Sequence, residues 1–267
     1  MHVQARKSLG QNWLVDENLA RKIAAAAEIN DHDVVIEIGA GTGALTRHLL
    51  GVAPRVIAIE TDQRLLPFLP AHPTLSVVHA DALKVNYAEL ACLQPGERVC
   101  FIGNLPYYIT SALVRTVLES DVPIRTVVIT VQFEVAQRMA ARPGDMSILA
   151  ASVQFYGRPE LLFKLPSSAF NPQPNVDSAV VRITPHAQPS DIAPELFFEV
   201  VRAGFSQPRK QLRNPLAAGL SISKQAAEAL LAAARVEPAR RAETLTIDEW
   251  IAVARARLHL QNGEDRI

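Results

Sequence analysis

The stretch "VVIEIGAGTGALTRHLL", Val34 to Leu50, decides the fold. An apolar run carrying one acid, Glu37, ends in glycine at positions 39, 41 and 43, and apolar residues then return at helical spacing. A continuous apolar run suits a strand buried on both faces, so strand, glycine turn and helix predict the opening unit of a parallel sheet. Outward from it, "RVIAIE" (Arg55 to Glu60) and "LSVVHADAL" (Leu75 to Leu83) read as the next strands, with a helix expected over "DQRLLPFL" (Asp62 to Leu69). "RVCFIGNLPYY" gives another strand, "TSALVRTVLES" a helix, and "IRTVVITVQFEVAQRMAA" a strand running into a helix. Short apolar runs alternating with helical patterns predict βα units, not a sandwich.

Farther along, Ser147 to Ile183 is expected to add at least two strands around a proline-rich turn, extending the sheet into a mixed one. "TPHAQPSDIAP", Thr184 to Pro194, lacks periodicity and reads as a linker. Four short helices are expected after it, with caps at Ser223 and Asp248 or nearby. A polar arm precedes the helix "ENLARKIAAAAEI" near the start. The expectation is an α/β domain over residues 1–185 and a small all-helical domain over 186–267.

A chain of 267 residues is long enough for one large core and a small second one. Apolar residues make up 49% and charged residues 20%, which fits a folded protein and argues against a disordered one. The formal charge is zero, so any affinity for a polyanion has to be local. Cys92 and Cys100 are too few for a disulfide framework and lack metal-ligand spacing; reduced thiols in the cytoplasm, and no metal, are expected. The sequence contains no apolar stretch of membrane-spanning length and no signal-like apolar segment at its start, so no membrane partner is expected either.

The glycine turn follows a strand, where the carboxyl edge of an open sheet receives ligands. Gly39, Gly41 and Gly43 let backbone approach a ligand closely without a side chain in the way. The turn is flanked by acids, Glu37, Glu60 and Asp81. That field disfavours a pyrophosphate and suits an adenosine-bearing ligand without one. Glu60 is placed to accept ribose hydroxyls, and Asp81 to accept from an adenine amine; the plainer alternative has these acids capping turns. Glu37 either touches ligand or holds the turn.

Asn104, in "FIGNLPYYIT" (Phe101 to Thr110), ends a strand at the same sheet edge. An adenine exocyclic amine is a poor nucleophile because its lone pair is delocalised into the ring. An amide oxygen at Asn104 and the Leu105 carbonyl, accepting from its hydrogens, would favour a pyramidal nitrogen aimed at a sulfonium methyl. Pro106 stiffens the turn, and Tyr107 is placed to stack on an extruded base. The alternative is an ordinary asparagine turn with core aromatics.

"KSLGQNWL" (Lys7 to Leu14), "EIGAGTGALT", "IE" at 59 and 60, "HADAL", "NLPYY" and "FNPQPNVDSAVV" (Phe170 to Val181) resemble, in order and spacing, the ribosomal RNA small-subunit adenine dimethyltransferase family. The resemblance extends through "GFSQPRKQLRN" and covers nearly the whole chain. It implies a Rossmann-like S-adenosylmethionine-dependent methyltransferase sheet with a small all-helical C-terminal domain. It further implies transfer of methyl groups to two adjacent adenosines near the 3′ end of small-subunit (16S) ribosomal RNA, by a monomer acting on an immature 30S particle. By the same resemblance Gln11, Asn12 and Leu14 close over the cofactor, Gly39, Ala40 and Gly41 pass its methionine portion, Glu60 holds the ribose, and Asp81 with Ala82 reads the adenine. Asn104 to Tyr107 form the transfer site, and Phe170 stacks on the base's other face; read without the resemblance, Phe170 is loop packing. The chain departs from the family at Ala40, where proline is common, at Tyr108, where asparagine is, and at Phe133, where lysine is.

Arg202, Arg209, Lys210 and Arg213 form the densest basic run, with no acid between Val200 and Leu220. With Arg6 and Lys7 they are expected to meet phosphates, against the alternative of a solvated helix face. Three other functions compete: a large-subunit ribosomal RNA adenine methyltransferase of the macrolide-resistance type, a non-catalytic assembly or RNA-binding factor, and a nicotinamide-dependent oxidoreductase. The second is disfavoured by intact Glu60, Asp81 and Asn104, the third by the acid-lined turn.

Overall fold

The computed structural model describes residues 3–6, 9–106, 109–187 and 190–264, without the side chains of 261–264. The chain divides into two compact units, one of residues 1–137 and 157–185, the other of 138–156 and 186–267. The sequence places 138–156 with the sheet, but in the structure they cluster with the C-terminal helices.

In the first unit β1 (Trp13–Leu14) and α1 (Glu17–Ala26) lead into β2 (Asp33–Ile38), α2 (Ala44–Leu49), β3 (Arg55–Glu60) and β4 (Leu75–His79). Then come α3 (Tyr87–Ala91), β5 (Arg98–Asn104), α4 (Thr110–Leu118), β6 (Ile124–Gln132) and α5 (Phe133–Met139), whose last two residues fall in the second unit. α6 (Ile148–Gln154) belongs to the second unit. The chain returns to the sheet with β7 (Gly157–Leu165), β8 (Phe170–Asn171) and β9 (Ser178–Pro185).

Seven strands form one sheet in the order β4-β3-β2-β5-β6-β9-β7. The first five are parallel, and β9 and β7 join antiparallel, giving the expected mixed extension. All six residues of β2 are buried, as a central strand covered on both faces requires. Val35, Cys100, Ile102 and Val128 share a core cluster with Ile23 of α1 and Leu49 of α2. On β5 Phe101 meets the ring of Tyr87 from α3 edge-on at 5.0 Å. Asp33, buried at the start of β2, is paired with Arg125 of β6 at 2.8 Å, and Arg125 also donates to the Ala27 carbonyl. The chain leaves β2 for β3 on one side and reaches β5 on the other, so the strand order reverses between β2 and β5, which is where open α/β sheets hold their ligands.

The helix expected over 62–69 is instead a single 3₁₀ turn, Leu66–Phe68. Pro67 supplies no N–H and cannot sit inside an α-helix. The opposite difference occurs at α6, which lies in a segment expected to add strands; Ser147 caps it by accepting from the Ala150 N–H at 3.2 Å.

The second unit holds α6, α7 (Pro194–Phe205), α8 (Arg213–Gly219), α9 (Lys224–Ala233) and α10 (Ile247–Glu264). Phe155, Phe197, Phe198 and Trp250 fill its core, with Phe155 stacked on Phe197 at 4.1 Å. Gly204 is required there because any Cβ would overlap the Trp250 ring. Ser223 caps α9 as expected. For α10 the cap is Thr246, two residues before Asp248 and within the expected neighbourhood: Thr246 and Glu249 exchange side-chain and backbone bonds in a capping box. Among the described residues no helix is long and apolar enough to cross a membrane.

Candidate active site

The carboxyl ends of β2, β3 and β5 open into a cavity of about 340 Å³ within the first unit. Its floor depends on close backbone approach. At Gly103 a Cβ would lie 2.6 Å from the Ile38 carbonyl, so glycine is what lets the ends of β2 and β5 meet. The turn after β2 then takes positive φ at Gly39 (+74°) and Gly41 (+58°), a region side-chain-bearing residues disfavour. The N–H groups of Gly39 and Ala40 donate to the Ile59 carbonyl of β3, and the turn is thereby fastened to its neighbour strand.

Glu60 ends β3 and is 5% exposed. Its Oε2 accepts from the Gly41 N–H at 2.7 Å and its Oε1 from the Asp62 N–H at 2.8 Å. The carboxylate thus holds the glycine turn while lining the cavity, so the turn-capping and cavity-lining readings apply together. Asp81 is exposed at the rim; its Oδ1 accepts from the Leu83 N–H at 3.0 Å, which folds Asp81, Ala82 and Leu83 into a short loop on the cavity wall. The Tyr87 hydroxyl, buried behind this loop, donates to the Ala82 carbonyl at 2.8 Å.

Asn104 closes β5. Its Nδ2 donates to the Asn12 carbonyl at 2.9 Å. A carbonyl can only accept, so this bond fixes which way round the amide sits and leaves Oδ1 as its acceptor. Leu105 is buried and donates its N–H to the Thr130 carbonyl, and the Pro106 carbonyl accepts from the Thr110 hydroxyl at 3.1 Å. Gln11, Asn12, Gly39, Gly41, Glu60, Asp81, Ala82, Asn104 and Pro106 all line the one cavity. Leu14 and Ala40 line a smaller neighbouring space of about 30 Å³ beneath the turn, with Asn104 reaching both.

Phe170 differs from expectation. It is 3% exposed, pairs with Leu14 in the β1–β8 ribbon and belongs to the sheet core, so it does not line the cavity. The ladder with β1 directs this position inward, and the structure supports the packing alternative. Tyr107 and Lys7 lie outside the described residues. Arg6 is exposed on the arm. In the second unit Arg202, Arg209 and Lys210 are exposed, whereas Arg213 is paired with Glu228 at 2.8 Å. Sequence reasoning missed Trp13, Ile38, Ile59, Thr61, Leu83 and Ile109 as cavity residues. Trp13 sits inside the quoted "KSLGQNWL", and its indole carbon would lie 3.2 Å from a Cβ at Gly41, so an aromatic here was the available signal.

Glu37 is 1% exposed and borders the smaller space, with its Oε2 unpartnered among the described residues. Burial pushes its pKa up to about 7; Thr46 and Arg47 work against this and Glu60 with it. A folded-state value above the unfolded one of 4.5 means that the folded chain binds this proton more tightly. The stabilisation is therefore complete below about pH 4.5 and is lost as pH rises through about 7, an effect of about 3 kcal/mol for this group alone. Glu37→Gln cannot ionise, so in urea unfolding its stability relative to the parent should rise between pH 5 and pH 8. A difference that does not change with pH would contradict this account.

Among the described residues no three His, Cys, Asp or Glu side chains cluster as a metal site. The chain matches a family model, "Ribosomal RNA adenine dimethylase", over residues 2–255. It is 44% identical over 256 residues to ribosomal RNA small subunit methyltransferase A of Dehalococcoides mccartyi, covering 93% of this chain and 87% of that one. It is 41% identical over 264 residues to the protein of that name from Lysinibacillus sphaericus, covering 94% and 90%. Among solved structures, a dimethyladenosine transferase from Plasmodium falciparum superposes with a TM-score of 0.77 at 25% identity, covering 90% of this chain and 95% of that one. The 23S rRNA methyltransferase ErmE does so with a TM-score of 0.68 at 29% identity, covering 92% and 99%.

Proposed function

The chain belongs to the ribosomal RNA adenine dimethylase family, and from that premise we propose that it transfers methyl groups from S-adenosylmethionine to the exocyclic amines of two adjacent adenosines near the 3′ end of small-subunit (16S) ribosomal RNA. The fold is that of a methyltransferase. The observation that carries the reading is the oriented amide of Asn104 at the end of β5, beside the glycine turn and in one cavity with Glu60 and Asp81.

The donor set fits an S-adenosyl group. Glu60 offers acceptors for ribose hydroxyls, the Asp81 to Leu83 loop offers a carboxylate and backbone polar groups for an adenine edge, and Gly39 and Gly41 leave the turn free of side chains. When bound, the cofactor supplies an electrophilic methyl on a cationic sulfur. This chain's part is to present the target amine. The Asn104 Oδ1 and the Leu105 carbonyl accept its two hydrogens, which draws the nitrogen lone pair out of conjugation; Pro106, lacking an N–H, places no competing donor next to them. The nitrogen becomes positive on receiving the methyl, so its proton leaves afterwards and no strong base is needed beforehand.

Arg6, Arg202, Arg209 and Lys210 are proposed as phosphate contacts, with Arg213 a weaker one because Glu228 offsets its charge. A neutral protein has modest electrostatic attraction for naked RNA, which supports an immature 30S particle as substrate, met in the cytoplasm by a monomer. The likeness to the 23S rRNA methyltransferase ErmE supports a second reading, an adenine of large-subunit RNA. Incubating the protein and methyl-labelled cofactor separately with unmodified immature small and large subunits, followed by mass spectrometry of RNA fragments, decides between them. Dimethyladenosine at two neighbouring small-subunit positions is expected. Label confined to large-subunit RNA favours the second reading, and label in neither overturns the enzyme.

A further inference from the structure

Asp62 lies two residues past Glu60 and is only 2% exposed, yet no sequence motif drew attention to it. Its Oδ2 accepts from the Gln11 side chain at 2.9 Å. The Arg64 guanidinium grips both oxygens of the same carboxylate, Nε donating to Oδ1 at 2.9 Å and Nη2 to Oδ2 at 2.5 Å. From there Arg64 reaches on through Nη1 to the Gln4 carbonyl at 3.3 Å, and the Gln11 Oε1 accepts from the Arg6 N–H at 2.7 Å. The loop after β3 therefore holds the amino-terminal arm directly at residues 4 and 11, and Gln11 folds the arm onto itself at residue 6. The arm residues that follow, Leu9 to Trp13, form one wall of the cavity. The backbone N–H of Asp62 meanwhile donates to Glu60, so the same residue touches both the arm and the acid of the opposite wall.

We propose that Asp62, braced by Arg64, is a positioning residue that sets the arm across the cavity and orients Glu60, so that retention of the bound cofactor depends on a side chain that does not touch it. A carboxylate buried this deeply needs its charge balanced, and Arg64 supplies the balance. The Arg64 hydrogen bond, assisted by Gln11, also holds the Asp62 carboxyl well below the usual carboxylate range, keeping it an acceptor at neutral pH. Asparagine would not substitute: one of its two polar atoms is a donor, and in either orientation it would face a donor of Arg64, with Gln11 added at one of the two positions.

The proposal rests on the cavity binding an S-adenosyl cofactor. The test uses the full chain, its Asp62→Asn variant and, because Arg64 is half-exposed and its loss opens no core, Arg64→Gln. S-adenosylhomocysteine is the probe, with release followed by stopped-flow fluorescence of Trp13 in the cavity wall. Loss of a charge-assisted hydrogen bond should speed release by about tenfold or more in Asp62→Asn, and by less in Arg64→Gln. KM for the cofactor should rise while kcat stays within about twofold. Amide exchange over residues 9–13, slowed by the ligand in the parent, should lose that protection in the variants while the sheet keeps its own. Parental release rates and parental protection in both variants overturn the positioning role. A parent chain that does not bind S-adenosylhomocysteine overturns the functional reading of the cavity, and the proposal with it.

Discussion

Asn104→Ala is expected to slow methyl transfer by about two to three orders of magnitude at saturating cofactor, the range seen when one oriented transition-state hydrogen-bonding group is deleted. The substitution removes the Oδ1 acceptor and the donation to the Asn12 carbonyl together. The first loss bears on chemistry. The second releases one tie of the arm, so cofactor affinity should weaken as well, by about tenfold at most. Single-turnover measurements on immature subunits separate the two, since saturating cofactor cancels the second. Asn104→Asp is the informative partner variant: it keeps an acceptor but cannot donate to Asn12, and its ionised carboxylate would face that carbonyl. If Asn104→Ala turns over at the parental rate, the amide has no part in presenting the amine.

The second large effect is expected at Glu60. Glu60→Ala deletes the proposed ribose acceptor and leaves the Gly41 and Asp62 N–H groups without their partner. An unsatisfied buried donor costs about 1–3 kcal/mol, so with two of them a stability loss of about 2–6 kcal/mol should accompany a fall in cofactor affinity of about a hundredfold or more. Glutamine is no rescue, because it presents an NH₂ where one of those N–H groups already points. Calorimetric titration with S-adenosylhomocysteine and urea unfolding should move together. Unchanged affinity in a destabilised chain would reduce Glu60 to a fastener of the glycine turn.

What could be read from the sequence was what repeats locally. β2, β3 and β5 are short apolar runs ending in Ile38, Glu60 and Asn104, and their ends had to gather at one edge once the runs were taken as parallel strands. The glycine turn was visible because glycine on alternate positions has few other uses. The contacts that complete the cavity were not visible, because nothing within a few residues of Asp62 reports a partner 51 positions away at Gln11. Phe170 shows the same limit: its motif suggested exposure to a base, but its pairing with Leu14, a distant partner, buries the ring. Local chemistry overruled pattern in smaller ways. Pro67 broke an expected helix, and Ser147 started an unexpected one.

The two-stranded ribbon of β1 with β8 has a bearing on how the molecule comes together. Trp13 pairs with Asn171 and Leu14 with Phe170, so the ribbon joins parts of the chain separated by most of the first unit. Closing so long a loop carries a large entropy penalty for very few backbone bonds, and it becomes affordable only where the sheet already provides a surface to settle on. In return, Leu14 and Phe170 of the ribbon complete the core cluster of the sheet. The cavity wall at Trp13 is therefore anchored one residue away in the interior of the domain, so the shape of the ligand space is tied to the integrity of that interior.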